Sequence, residues 1–176
     1  MLEKLIERLS PDKATPVSRE VVNTPLSQIP STTQFAPNTK IAYKPKLVPL
    51  LEQQHRDLMA VYWKTLTAAQ NHKNELTRQY LIEFKDLLVG HLLQENTSLY
   101  IYLRNSARKP SQKEAVTAIK TEMDKLARGI KQFLDKSIKK TDYDADFVER
   151  LKLVGDALLE RIEKEEAYVY PNYVAN

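Results

Sequence analysis

The chain has 176 residues, no cysteine and a formal net charge of +4. That length allows one domain, or one domain with an appendage, and the missing thiols exclude disulfides, zinc fingers, iron–sulfur clusters and thiol catalysis. Residues 1–46 hold seven Lys/Arg against four Asp/Glu, so the remainder is nearly neutral and lacks the concentrated basic face that nucleic acid requires. Any metal must be held by nitrogen and oxygen ligands alone. No apolar run reaches the length of a membrane span, about eighteen residues, and the first residues show no cleavage-site pattern. A cytoplasmic protein that enters no membrane is therefore expected. Gly90, Gly129 and Gly155 are the only glycines, and all three fall inside helical patterns, which leaves little turn chemistry for a β fold. The chain reads as all-α.

Residues 1–10 suit a short amphipathic helix with Leu2, Leu5, Ile6 and Leu9 on one side. Pro11, Pro16, Pro25, Pro30, Pro37 and Pro45 follow too closely for any helix between them. Residues 1–46 are thus expected to form an extended or disordered arm, either a linker or a tether to a protein partner. From residue 47 onward four helical patterns succeed one another. The first runs from about Pro49 to Ala69, and a polar turn with His72 follows. The second spans about Glu75 to Arg104 and breaks near Pro110. The third spans about Lys113 to Lys139, with Val116, Ile119, Met123, Leu126, Ile130, Phe133 and Ile138 on its stripe. The fourth spans about Asp144 to Val169, with Phe147, Leu151, Val154, Leu158 and Ile162 facing inward, and Pro171 closes it. Long helices with short connections pack antiparallel. Residues 47–173 are predicted to form an up-down-up-down four-helix bundle.

Polar residues on these apolar stripes locate the chemistry. His55 keeps the phase of Leu51, Leu58 and Tyr62; His91, with Glu95 one turn later, keeps that of Leu81, Phe84 and Leu88. A stripe at spacings of three and four faces the core. An unpaired polar group there costs about 1–3 kcal/mol, and an unpaired charge more. A metal ion held between helices by inward His and Glu side chains is one solution. On helix four, Arg161 and Glu165 fall among Leu158, Ile162 and Val169, and helix three offers Glu122 on the flank of its stripe. The candidate metal ligands are His55, His91, Glu95, Glu165 and Glu122, while Tyr62, Tyr80, Tyr100 and Tyr102 read as core and boundary residues. In an antiparallel bundle His55 lies level with late helix two and late helix four, where His91, Glu95 and Glu165 are.

His55 in Glu-Gln-Gln-His-Arg-Asp-Leu, His91-Leu-Leu-Gln-Glu95 followed by Tyr100, and Arg161-Ile-Glu-Lys-Glu165-Glu166-Ala-Tyr-Val-Tyr-Pro171 together resemble the hemerythrin-like, cation-binding HHE domains. The resemblance covers about residues 47 to 173. It implies a four-helix bundle around a non-haem di-iron site, bridged by carboxylates and an oxo or hydroxo group, that binds dioxygen, senses oxygen or redox state, or handles iron. This chain departs from the family pattern in two places. Helix three has no histidine, with Glu122 as the replacement on offer, and Arg161 stands where the pattern has a histidine. A guanidinium is always charged and cannot ligate a metal. Between Glu95 and Glu165 it would donate to both and supply the positive charge itself, leaving the site free of iron.

A second reading comes from a different class. Metal-free bundles of the bacterial anti-sigma, regulator-of-sigma-D type resemble this chain at Gly90-His91 and in carrying an arm, and their product is a surface for a protein partner. Neither reading is an enzyme, since the sequence has no Gly-rich phosphate loop and no nucleophile elbow.

Overall fold

The computed structural model describes residues 34–175. The expected N-terminal helix at residues 1–10, and the arm as far as residue 33, lie outside them. Four helices follow in order: α1 (Leu47–Gln70), α2 (Asn74–Gln94, continued by a π turn at Glu95–Leu99 and an α segment at Tyr100–Ser106), α3 (Pro110–Ser137) and α4 (Ala145–Lys164, continued by a π turn at Glu165–Val169). A 3-10 turn, Tyr170–Asn172, closes the chain end. α1 packs against α2 and α4, and α3 packs against the same two, which is the cyclic neighbour order of an up-down-up-down bundle. None of the described helices is long and apolar enough to cross a membrane.

Local chemistry sets the boundaries. Asp144 caps α4 by accepting from the Phe147 amide at 2.8 Å, which satisfies one of the donors a helix start leaves free. Pro110 opens α3 rather than ending the loop before it, because a proline lacks only an amide that the first turn cannot use. The Gln112 side-chain oxygen reaches back to the Arg108 and Lys109 amides, 3.0 Å from each. α3 is turned by about one residue relative to the expected stripe. Ala127 and Leu134 are buried while Leu126 and Phe133 are half-buried, so the larger side chains flank the core and the smaller one lets α3 approach.

Residues 34–46 contain neither helix nor strand, yet they are not a free arm. A turn at Ala36–Thr39, with Pro37 second and Asn38 at φ 57°, brings Phe35 and Ala42 into a single β-bridge. Pro then Asn in those positions matches the geometry of a type II turn. Ala36 is buried with Leu47, Leu51, Leu103, Val169 and Tyr173 at one end of the bundle. The Tyr43 ring stacks on Tyr173 at 5.0 Å, the Lys44 amide donates to the Tyr173 hydroxyl at 2.9 Å, and Lys44 Nζ donates to Ser98 Oγ at 2.9 Å. These few apolar residues have no periodicity of their own, and only the bundle end gives them a partner.

A second apolar cluster fills the opposite half of the bundle, with Leu58, Tyr62, Leu81, Phe84, Leu88, Leu134, Phe147 and Leu151 buried. Gly155 of α4 faces Tyr62 so closely that a Cβ there would overlap the phenol ring. Gly129 of α3 has open space in the same place. Gly155→Ala should therefore destabilise the fold by about 1–3 kcal/mol through overpacking, whereas Gly129→Ala should stabilise it by up to about 1 kcal/mol through helix propensity. Denaturant unfolding of the two variants beside the parent protein checks both signs.

Candidate metal centre

Between the two apolar clusters four buried side chains converge. His55 comes from α1, His91 and Glu95 from α2 and its π turn, and Glu165 from the π turn of α4. One ligand atom from each lies within 4.8 Å of all the others. His55 Nε2 is 3.2 Å from His91 Nε2 and 3.3 Å from Glu165 Oε2, and His91 Nε2 is 3.5 Å from Glu95 Oε2. The outer ring nitrogens are occupied: His55 Nδ1 faces Glu166 Oε1 at 3.0 Å, and His91 Nδ1 faces Gln54 Oε1 at 3.1 Å. Acceptors on that side place the protons on Nδ1 and turn both Nε2 lone pairs inward, the orientation of metal-ligating histidines.

Arg161, one turn before Glu165, is 2% exposed. Its Nη2 donates to Glu95 Oε2 at 2.5 Å and to Glu165 Oε1 at 2.6 Å, and its Nη1 donates to the Met123 carbonyl of α3 at 2.7 Å. The guanidinium thus sits between the two carboxylates, as its phase on helix four suggested.

The two π turns are equivalent. Each begins at a ligand glutamate, and the amide five residues on, Tyr100 or Tyr170, donates back to that glutamate's carbonyl. A π turn places residues five apart on one side. Both tyrosines consequently point into the site, and each donates across to the other helix: Tyr100 to Glu165 Oε1 and Tyr170 to Glu95 Oε1, both at 3.4 Å. Tyr170 also lies 3.2 Å from His55 Nε2. His91, Glu95 and Tyr100 on α2 therefore correspond to Arg161, Glu165 and Tyr170 on α4, at the same spacing.

Comparison with models of protein families matches residues 46–173 to the hemerythrin HHE cation-binding domain. The chain belongs to the hemerythrin HHE cation-binding family. Comparison with curated proteins and with solved structures found no match.

The residues of this hemerythrin domain fit a cation. While His55 is neutral with its proton on Nδ1, the buried Glu165 Oε2 accepts no hydrogen bond, since the nearby His55 Nε2 then presents a lone pair. Four acceptor atoms thus share one small space, and a cation among them relieves the repulsion. Electrostatics agree. Burial, reinforced by the charges of His55 and Arg161, pushes the His91 pKa down to about 2, so the imidazole is neutral and able to ligate. Burial, with Glu165 adding to it and Arg161 opposing it, pushes Glu95 up to about 8. For His55 burial works against the charged form, but Glu165 and Glu166, to which the protonated ring donates from Nε2 and Nδ1, outweigh it and raise its pKa. In the absence of an ion, a proton on His55 takes the place of the metal charge. Burial and the two carboxylates raise Tyr100 and Tyr170 far above the usual phenol range, so both remain donors.

Glu122 is not part of this set. It is exposed and pairs with Lys164 Nζ at 2.5 Å; its neighbour Met123 faces the core, and helix three contributes only a carbonyl, to Arg161. Gln54, Glu166 and Tyr170 escaped the sequence reading. Gln54 and Glu166 are half-buried neighbours of ligands, and Tyr170 reaches the site only because the π turn shifts its register by one residue. The signal available was Glu-x4-Tyr in both helices, Glu95 with Tyr100 and Glu165 with Tyr170.

Removing the guanidinium strands two adjacent acids in the core, which costs on the order of 3–5 kcal/mol. Arg161→Ala should be destabilised by that amount near pH 8 without metal. The loss should narrow near pH 5: Arg161 is what lowers Glu95, so its removal raises that carboxyl further, and the folded state then gains by keeping protons as pH falls. Thermal melts of the variant and the parent protein at the two pH values measure the gap.

Proposed function

We propose that this hemerythrin domain holds one divalent transition-metal ion, iron in the cell, through His55, His91, Glu95 and Glu165, and that it serves oxygen or redox sensing or iron handling rather than catalysis. The observation that carries the proposal is the half-and-half character of the site. One half offers His55 and His91, with both Nε2 lone pairs turned inward. The corresponding half offers Arg161, its guanidinium bound to both glutamates and to a backbone carbonyl. Counting Glu166, which pairs with His55, and with Glu95 ionised on binding the ion, the site holds three carboxylates and one guanidinium. A single dication balances that charge, whereas a second would leave excess positive charge in a core, at high cost. The di-iron site of the family pattern is accordingly reduced here to one ion and one fixed cation.

Imidazole and carboxylate ligands without sulfur suit iron and similar divalent ions. Such an ion supplies a Lewis acid and a one-electron couple. The chain's own contribution is to fix and shield. Glu166 and Gln54 hold the two imidazoles in the ligating tautomer, Arg161 keeps Glu95 and Glu165 from repelling one another, and the tyrosines donate to the outer carboxylate oxygens. The ligand side chains are at most 3% exposed, an enclosure that favours a diatomic such as dioxygen over any larger ligand.

Arg161 is also the observation that favours the second reading, a metal-free regulatory bundle acting on a protein partner, because with His55 protonated the site carries its own compensating charge. Protein purified without chelators or a metal-affinity step, then given ferrous ion without oxygen, distinguishes the two. About one ion per chain is expected, with stabilisation of about 2.7 kcal/mol once free metal is a hundredfold above Kd. The double variant His91→Ala, Glu95→Ala should bind none. Full binding by that variant would place the site elsewhere, and no binding by the parent chain would select the metal-free reading. Arg161→His, which returns a nitrogen ligand to the second half, should raise the iron bound per chain above one.

A further inference from the structure

At the bundle end beyond the metal centre lies a groove of about 490 Å³ between the end of α2, the start of α3 and the segment after α4. Its size falls in the range of small-molecule pockets, about 300–1,000 Å³. Leu103, Val116, Ile119, Val169 and Val174 give it an apolar lining. Tyr168 and Val174 on its wall are 68% and 56% exposed, so apolar surface there has no cover from the described residues.

Its charge is of one sign. No Asp or Glu lines the groove, and its one charged lining residue is Arg108, whose side chain forms no ion pair with the described residues. The Gln112 oxygen at the same mouth is already taken by the Arg108 and Lys109 amides. The mouth therefore offers a cation, and a single guanidinium matches a single carboxylate in bidentate geometry. The floor matters as well. Tyr100 is part of the lining, and its hydroxyl donates to Glu165 Oε1 at 3.4 Å.

We propose that this groove binds a small amphipathic monocarboxylate, such as a medium-chain fatty acid, with its apolar chain along Val116, Ile119 and Val169 and its carboxylate at Arg108. The bound molecule rests on Tyr100, whose hydroxyl donates to Glu165. The proposal requires no metal and stands apart from the reading of the metal centre.

Decanoate, below its micellar concentration, is titrated calorimetrically into the full, metal-free chain, with 1-decanol as the uncharged control. One saturable site is expected, with 1-decanol weaker. Arg108→Ala should weaken decanoate about fivefold, as loss of an exposed ion pair does. Ala115→Trp, at an exposed helix position on the groove wall, should abolish binding while leaving the melting temperature near that of the parent protein. Absence of saturable binding, or binding that Ala115→Trp leaves intact, would overturn the proposal. Equal affinity for 1-decanol, or no effect of Arg108→Ala, would overturn its carboxylate class. A dimer in sedimentation that decanoate fails to dissociate, and that Ala115→Trp does dissociate, would assign the groove to a second copy of the chain instead.

Discussion

Glu95 and Glu165 lie side by side in the bundle core, each at most 1% exposed, and Arg161 reaches both with one nitrogen. Two carboxylates at that depth repel each other and forgo hydration, a combination that costs several kcal/mol unless a cation is fixed between them. The guanidinium meets that need in a way a lysine would not. Its planar fork also holds the Met123 carbonyl, which ties α4 to α3 at the same level where Glu95 ties it to α2. The remaining side chains arrange themselves around this pairing. Tyr100 and Tyr170 donate to the carboxylate oxygens that face them, and the histidines take the side that Arg161 leaves open.

The correspondence between α2 and α4 gives the centre its functional character. His91, Glu95 and Tyr100 occupy on one helix the places that Arg161, Glu165 and Tyr170 occupy on the other, each set spanning a π turn. A π turn sacrifices regular hydrogen bonding to gain one residue of register, and such turns recur at functional sites. Here the gained residue brings a tyrosine onto the ligand face. An arginine where the other helix has a histidine puts a fixed positive charge in that half and offers no ligand. The result is a buried cluster of two histidines and two glutamates with a fixed guanidinium beside it, enclosed by helices and closed at one end by residues 34–46.

Much of this could be read from the sequence, because helical periodicity and burial are linked. His55, His91, Glu95, Glu165 and Arg161 all stand in phase with aliphatic neighbours, and the antiparallel order of the helices fixes their common level. The misjudged positions lie at the margin of the helical period or beyond it. Glu122 stands on the flank of the α3 stripe, one step from the inward Met123, and there Lys164 holds its carboxylate at the surface. Tyr170 lies beyond the point where the π turn breaks the 3.6-residue phase. Ala36, Ile41 and Tyr43 belong to no periodic element, so their seat on the bundle end follows from tertiary packing alone.

We propose that a single ion shares the core with the Arg161 guanidinium. Anomalous scattering from crystals of the chain grown with manganous or ferrous ion tests it most directly. One anomalous peak is expected, bounded by His55, His91, Glu95 and Glu165, with Arg161 still bridging the two glutamates. Two peaks in the bundle core, or one peak with Arg161 displaced to solvent, would contradict it.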